Sequence, residues 1–555
     1  MSTLSGSLNK WIYFLIGLTI FVVSFFKIAD LDFWWHLKTG QIIWQQKEFQ
    51  FAEIYSFSAP GRPYVDHEWL FQVIQYFFYS IAGPAGIILL KCAILATIYL
   101  LIARFLLQKQ LNPWIVVTLL MVSIAGGHTR FLERPEIFTE LFLVCCYLLL
   151  HKYVETKNWK YLLGIAPIIV LWSNIHAAVI LGILLQGSYL AGLILERIVR
   201  KFGYPVFYDV GKRELITLFL LFSTSILLTG LNPNGYGILK VPFELTRIID
   251  SGLLNNQEWQ QPPLWRFPFF YLGFAFVFFL FVMNAGKIHF VHFLFGAFLG
   301  YISLKYVRNV ALFSMFMPLL AWPYLSGIRI RWRAAMAAVC VVVLYWLTVL
   351  SPFEFGTGEA SYFPDQIVRF TKEKNLQGHM LNSYAFGGYL IWNVFPERKI
   401  FIDGRNEVFL PLLHEIVKVR ADSRLWRQFL EKYKIEYALL NYLDELEEVI
   451  VLDSQNRPTR TYAPFSSTHF PRSRWALVYW DDDGMILVRR NGLNEALVSQ
   501  EYTSVFPEGS TYQLSLVRGS KVNKDQAVAE ILRKLKEDPH CKRAQKLLNE
   551  IKTGS

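Results

Sequence analysis

Asp30-Leu31-Asp32-Phe33-Trp34-Trp35-His36-Leu37 is the stretch whose reading decides the fold. It follows directly on an apolar run, 11–26, that is close to the length needed to cross a bilayer. Two carboxylates therefore emerge at a membrane surface, where ionised groups are costly and call for a reason. Behind them, Phe33, Trp34, Leu37, Ile42, Ile43 and Trp44 interleave with His36, Lys38, Gln41 and Gln45. That pattern is an amphipathic helix lying in the interface rather than crossing it.

The rest of the composition agrees with a membrane setting. The 555 residues are 54% hydrophobic, with a mean hydropathy of +0.32, which excludes an ordinary soluble globular chain. The net charge of +12 comes from Lys and Arg set mostly in short loops between apolar runs. There they act as topology signals, so nucleic-acid binding is excluded as a function class. Cys92, Cys145, Cys146 and Cys340 fall inside apolar runs and Cys541 lies in the tail, which leaves no disulfide framework and no CxxC metal pattern. The first run has no small-residue cleavage site and only Lys10 ahead of it, so it reads as a retained first span.

Further runs of spanning character lie near 84–107, 113–127, 135–153, 160–175, 178–198, 214–231, 267–284, 288–305, 309–325 and 332–350. The segment 67–82, opening on His67-Glu68-Trp69, is ambiguous, and charge decides it. If it crosses, Arg197, Arg200, Lys201, Lys212 and Arg213 fall outside, as do Arg329, Arg331 and Arg333. If it lies in the interface, all of these fall inside with Arg104, Lys109, Lys152, Lys157 and Lys160, as the positive-inside rule requires. The expectation is an α-helical polytopic protein of about eleven spans, with two interfacial helices in its first outer loop. Its N-terminus is cytoplasmic, and everything after Leu350 is outside.

This topology sorts the polar motifs by side. With Asp30 and Asp32 on the outer side lie His67-Glu68, Arg130, Arg134-Pro135-Glu136, Asn174 with His176, Glu258-Trp259, and Arg308 with Lys305. A one-sided concentration of ionisable groups at membrane depth is a site hypothesis. One aspartate can act as general base or metal ligand while the other caps the following helix; the alternative is that both are caps and anchors. Arg130, Arg134 and Arg308 suit a phosphate, which a guanidinium grips bidentately, although Arg134-Pro135-Glu136 is also a good helix start and Arg308 can snorkel. His176 sits in a short connection where a bridging hydrogen bond is as good a reading as catalysis. Asp30, Asp32, His36 and His67 are candidate ligands for a divalent cation, with no local spacing that ties them together.

Beyond Leu350 the pattern becomes that of an α/β module. Helical character is expected at 362–374, 385–394 and 407–432, with strands at 378–382, 398–402, 436–441, 475–480 and 484–489. Asp481-Asp482-Asp483-Gly484 reads as a hairpin turn, Asp403 and Arg405 as a salt bridge holding a turn, and 525–552 as a helix pair broken at Pro539. The division is a membrane domain 1–350, an α/β domain 351–515 and a helical tail 516–555.

A first span ending in an acidic residue, an outer loop of interfacial helices, many further spans and an outer α/β domain together resemble the GT-C superfamily of integral-membrane glycosyltransferases. Asp32-Phe33-Trp34-Trp35-His36-Leu37 is similar to the Asp-Pro-Trp-Phe-Asn-Tyr stretch of the oligosaccharyltransferase catalytic subunit, in which the aspartate is catalytic; Asp32 is the matching position. The chain also resembles bacterial multi-pass proteins of unassigned role. They share its Asp-x-Asp-x-Trp-Trp-His-Leu start, His-Glu-Trp-Leu segment, Arg-Pro-Glu loop and Ile-Asp-Gly-Arg module. No Trp-Trp-Asp-Tyr-Gly is present, so a peptide acceptor is not carried over.

The resemblance implies a glycosyltransferase of a bacterial inner membrane. It would use a polyprenyl-phosphate or polyprenyl-pyrophosphate sugar and an acceptor on the outer face, a glycan, lipid or protein, amid membrane lipids. Asp32, with Asp30 second, would be the base, Arg130, Arg134 and Arg308 would meet phosphate, and His67, Glu68, His176, Glu258, Trp34 and Trp35 would complete the site. The alternatives are a flippase for a lipid-linked glycan, against which the absence of a clear internal repeat counts, and a scaffold for envelope polysaccharide assembly.

Overall fold

The structure, a computed structural model, describes residues 2–250, 252, 257–328, 333–349, 351–442, 446–452 and 458–553. Arg329, Arg331 and Leu350, used above to orient the chain, lie outside these. The chain forms two compact units. One comprises 1–33, 39–50 and 65–360; the other comprises 34–38, 51–64 and 361–555.

The described residues of the larger unit are mainly helical. Each apolar run read above is a helix, among them Ser2–Ser24, Pro113–Gly127, Glu136–Thr156, Ile180–Arg200, Phe290–Lys305 and Val310–Leu325. Three, Trp69–Gln108, Glu136–Thr156 and Ala177–Arg200, are long and apolar enough to cross a membrane by themselves. Shorter apolar helices stand at Asn9–Ser24, Trp159–Ile175, Pro268–Met283, Phe290–Lys305 and Ala334–Val349. Their buried faces interlock through side chains such as Tyr99, Tyr147, Trp172, Phe270 and Phe316. The 40-residue helix Trp69–Gln108 breaks at Ala82 and Gly83, where φ turns to 57° at the glycine and Pro84 restarts the helix. The ambiguous segment and the following run are thus two rods joined at a kink.

The helix Phe33–Gln46 runs close to the first of these rods. Gly40 permits the approach, because a Cβ there would stand 2.0 Å from the carbonyl oxygen of Gln72. Gln75 Nε2 donates to the Phe33 carbonyl at 3.2 Å beside it. Between the first helix and this one, the chain is held extended by 354–360. Lys27 N donates to Glu354 O at 2.8 Å, Ile28 N to Gly358 O at 2.9 Å, and Ala360 N to Ile28 O at 2.9 Å. That clamp delivers Asp30 and Asp32 to a fixed place.

The smaller unit is built on a four-stranded sheet. Its strands are β1 (His379–Asn382), β2 (Ile435–Asn441), β5 (Trp475–Trp480) and β6 (Gly484–Arg489), in the order β1-β2-β6-β5. β1 and β2 are parallel and the other pairs antiparallel. The β5–β6 turn is the expected Asp-rich hairpin, in which Asp481 Oδ1 accepts from the backbone of Asp483 at 2.9 Å and Gly484 at 3.0 Å. β3 (Leu446–Leu452) and β4 (Pro458–Pro464) form a separate antiparallel pair. The tail is the expected helix pair, Lys524–Glu537 and Lys542–Thr553.

The expected strand at 398–402 is a correction. Only Ile400 pairs with another backbone, in a single bridge to Ser56, because the neighbouring position is filled by a side chain. The Asn382 amide accepts from Phe401 N and donates to Ile402 O, both at 2.7 Å, imitating one rung of a strand. Gly387 packs against the same turn, where a Cβ would meet Ile402 O at 2.3 Å. Asn382→Ala is expected to lower stability by about 1–3 kcal/mol, since it leaves buried backbone groups unpaired; chemical unfolding of the full-length protein checks this.

Candidate active site

Arg134 is the centre of the site. It lies in the loop between Pro113–Gly127 and Glu136–Thr156, and its Nη2 reaches Asp30 at 2.5 Å and Asp32 at 3.3 Å. Its Nη1 donates to Glu258 at 2.9 Å. The other oxygen of Glu258 accepts from Arg130 at 2.8 Å, and Arg130 also stands 3.9 Å from Glu136. Glu136 accepts from Arg308 at 2.5 Å, and the Arg308 guanidinium lies over the Trp259 ring at 4.5 Å. Three guanidinium groups and four carboxylates thus form one continuous network.

The two aspartates differ in access. The Asp30 side chain is 1% exposed and that of Asp32 32%. Asp32 stands at the N-cap of Phe33–Gln46, yet its side chain makes no capping hydrogen bond and turns to Arg134 instead. Burial pushes the Asp30 carboxyl up, with Arg134 opposing. Burial acts the same way on Glu258, but Arg130, Arg134 and Arg308 outweigh it and hold that carboxyl at about 2. Arg130 Nε and Arg134 Nε are both buried without a hydrogen-bond partner. Both N–H groups belong to the same guanidinium–carboxylate network.

A second group adjoins Glu136. His67 Nε2 and His176 Nε2 stand 3.5 and 3.8 Å from the same oxygen of Glu68. His176 Nδ1 is 2.8 Å from Thr139 Oγ1, which also accepts from Trp172 Nε1 at 2.9 Å. Burial, above all, lowers His176 to about 3, so this imidazole is neutral near pH 7. Asn174 bridges Trp69 Nε1 and the Leu231 carbonyl, both at 2.9 Å, which fixes the turn that carries His176.

Trp34, Trp35 and His36 belong to the smaller unit. Trp34 is fully buried, edge to face with Phe363 and Tyr389, and the Trp35 ring lies 3.6 Å from that of His36 at a tilt of 31°. Among the described residues no group of three or more His, Cys, Asp and Glu is placed to hold a metal. Asp30 and Asp32 share the Arg134 guanidinium.

Two further residues support the network. Glu136, one of the outer-side ionisable groups and also a helix start, joins Arg308 to Arg130. Lys91 pairs with Glu133 at 2.5 Å, both side chains 1% exposed, and lies over Phe26, pinning the residue before Arg134. A lone lysine inside the apolar run 84–107 was the available signal.

No family model and no curated protein sequence matches the chain. Solved structures do. The archaeal oligosaccharyltransferase AglB from Archaeoglobus fulgidus, in complex with an inhibitory peptide and a dolichol-phosphate, superposes with a TM-score of 0.58 at 9% identity, over 95% of this chain and 85% of that one. The chain shares the fold of that structure. An Archaeoglobus fulgidus oligosaccharyltransferase in the apo form gives 0.56 at 10% identity, over 85% of this chain and 79% of that one. The same enzyme in complex with Zn and sulfate gives 0.54 at 11%, over 94% and 82%. Likeness at such identities establishes the architecture, and the chemistry has to be argued from the residues.

Proposed function

We propose that the chain is a membrane glycosyltransferase that moves a sugar from a polyprenyl-phosphate or polyprenyl-pyrophosphate donor to an acceptor hydroxyl at the outer face. The observation that carries this reading is the sharing of Arg134 by Asp30 and Asp32, beside two guanidinium N–H groups with no partner. The fold supports it, since AglB was solved with a dolichol-phosphate and a peptide.

In this reading Asp32, the more accessible carboxylate, takes the acceptor O–H proton while the acceptor oxygen bonds to the anomeric carbon. The bond from that carbon to the phosphate oxygen breaks, and its electron pair leaves with the phosphate. Arg134, Arg130 and Arg308 meet the growing charge, which a desolvated guanidinium cluster stabilises more in the transition state than in the ground state. Asp30 keeps Arg134 in place and is the second candidate base. Neutral His176 with Glu68 and His67 offers hydrogen bonds to the sugar or acceptor. About eleven spans, an outer α/β domain, a tail from 516 and a bacterial inner membrane belong to the same proposal.

The test uses full-length protein in lipid nanodiscs or vesicles, given a labelled polyprenyl-phosphate sugar and a hydroxyl acceptor. The expected result is sugar-free polyprenyl phosphate appearing together with glycosylated acceptor. Glycolipid recovered chemically unchanged on the opposite leaflet would replace transfer by transport, and neither change nor movement would leave the scaffold reading.

A further inference from the structure

The smaller unit carries a second concentration of arginines, on different elements from those described so far. Arg427 projects from the helix Ser423–Lys432, Arg474 immediately precedes β5, and Arg489 ends β6 opposite Trp475 in the ladder. Together they line a cavity of about 170 Å³ whose apolar wall is Leu430 and Trp475, each 5% exposed. Ser473 and Asn491 supply neutral polar groups at the same cavity, and Arg490 and one carboxylate, that of Glu431, also line it.

Positive charge exceeds negative charge at this cavity. Arg490, next in sequence, is matched by Glu501 and donates to the Arg472 carbonyl at 2.8 Å. Among the described residues Arg427 and Arg489 have no acidic partner within 4.0 Å. Arg474 has only Glu431, at 4.0 Å, with both side chains 51% exposed. A pair so long and so wet contributes little. Three like charges drawn to one concavity repel one another, and a bound anion would remove that repulsion.

We propose that this cavity binds an acidic sugar residue, one carrying a carboxylate or a phosphate, in the glycan that the protein handles. The arginines take the charged substituent, the neutral polar groups take ring hydroxyls, and the apolar wall takes a ring face. The volume lies below the roughly 300–1,000 Å³ of drug-sized sites, which suits one ring and its substituent rather than a long chain. The choice of a saccharide over a free anion rests on the glycosyltransferase reading; the anion preference rests on the arginines alone.

The experiment is calorimetric titration of the full-length protein with trigalacturonic acid, a sugar-phosphate, the neutral trigalactose and inorganic phosphate. Binding of either acidic saccharide at least about tenfold tighter than trigalactose and inorganic phosphate is expected. It should fall by at least about tenfold in Arg427→Ser/Arg489→Ser, with thermal unfolding unchanged. The preferred acidic probe identifies carboxylate or phosphate as the group recognised. Equal binding by the variant, equal binding of trigalactose, or binding of inorganic phosphate alone overturns the proposal. The Asp30→Asn/Asp32→Asn protein serves as control. If it binds the acidic saccharide while no protein transfers sugar, the pocket stands and the transferase reading falls. If the native protein transfers sugar and binds no acidic saccharide, the reverse holds.

Discussion

Asp30→Asn/Asp32→Asn is expected to lose sugar transfer by about a hundred- to ten-thousand-fold, the usual contribution of a positioned general base. The fold should survive, because Arg134 keeps Glu258 at 2.9 Å and the two amides can still accept from its N–H groups. The single variants separate the two carboxylates. With its side chain 32% exposed against 1%, Asp32 can meet an acceptor, so Asp32→Asn should carry most of the loss. Asp30→Asn should act more weakly, through the aim of Arg134. Initial rates on the labelled donor, beside thermal unfolding of each variant, check this. Full transfer by the double variant would end the assignment.

The second large effect is on stability. Arg405 lies 2.5 Å from Asp403 and 2.6 Å from Glu53, with all three side chains at most 2% exposed. Tyr55 and Tyr64 close over the guanidinium at 4.9 and 5.3 Å from their ring centres. Arg405→Met leaves two buried carboxylates facing each other without a cation. Removing one partner of such a pair costs about 3–5 kcal/mol, against the roughly 5–15 kcal/mol that holds a typical domain together. A markedly lower unfolding temperature and protease cleavage within 51–64 are expected. Adding Asp403→Asn and Glu53→Gln should restore much of the loss, because the desolvated charges go together. An unchanged melting curve for Arg405→Met would show that the cluster contributes nothing.

Much of this was legible where the signal is local. Helix limits follow hydropathy and punctuation: Pro113 opens one helix, Gly83-Pro84 breaks another, and Asp481 to Gly484 turns a hairpin. What stayed hidden is pairing across the chain. Asp30 and Arg134 are 104 residues apart, and Arg308 and Glu136 are 172 apart. Charge bias can assign such residues to one side of a membrane, but it cannot say which carboxylate meets which guanidinium. The segment 398–402 misled for a related reason. Its apolar residues look like a strand, and only the distant Asn382 amide shows why no second strand is needed. The helix Val241–Asp250 falls between the apolar runs 214–231 and 267–284, where its short amphipathic stretch is no clearer than its surroundings.

The composition of the smaller unit sets an order in time. Its residues 51–64 are made early, but the groups that hold them, Arg405 and the Val408 carbonyl that accepts from Arg62, come 346 residues later in the latter case. At about 5–20 residues per second that interval is roughly 20–70 s of synthesis. Throughout it Glu53 cannot pair with Arg405, while helix after helix is made. A nascent chain halted before Arg405 would therefore carry a first loop that is translated yet unfinished, and the last quarter of the protein acts on it as a delayed fastener.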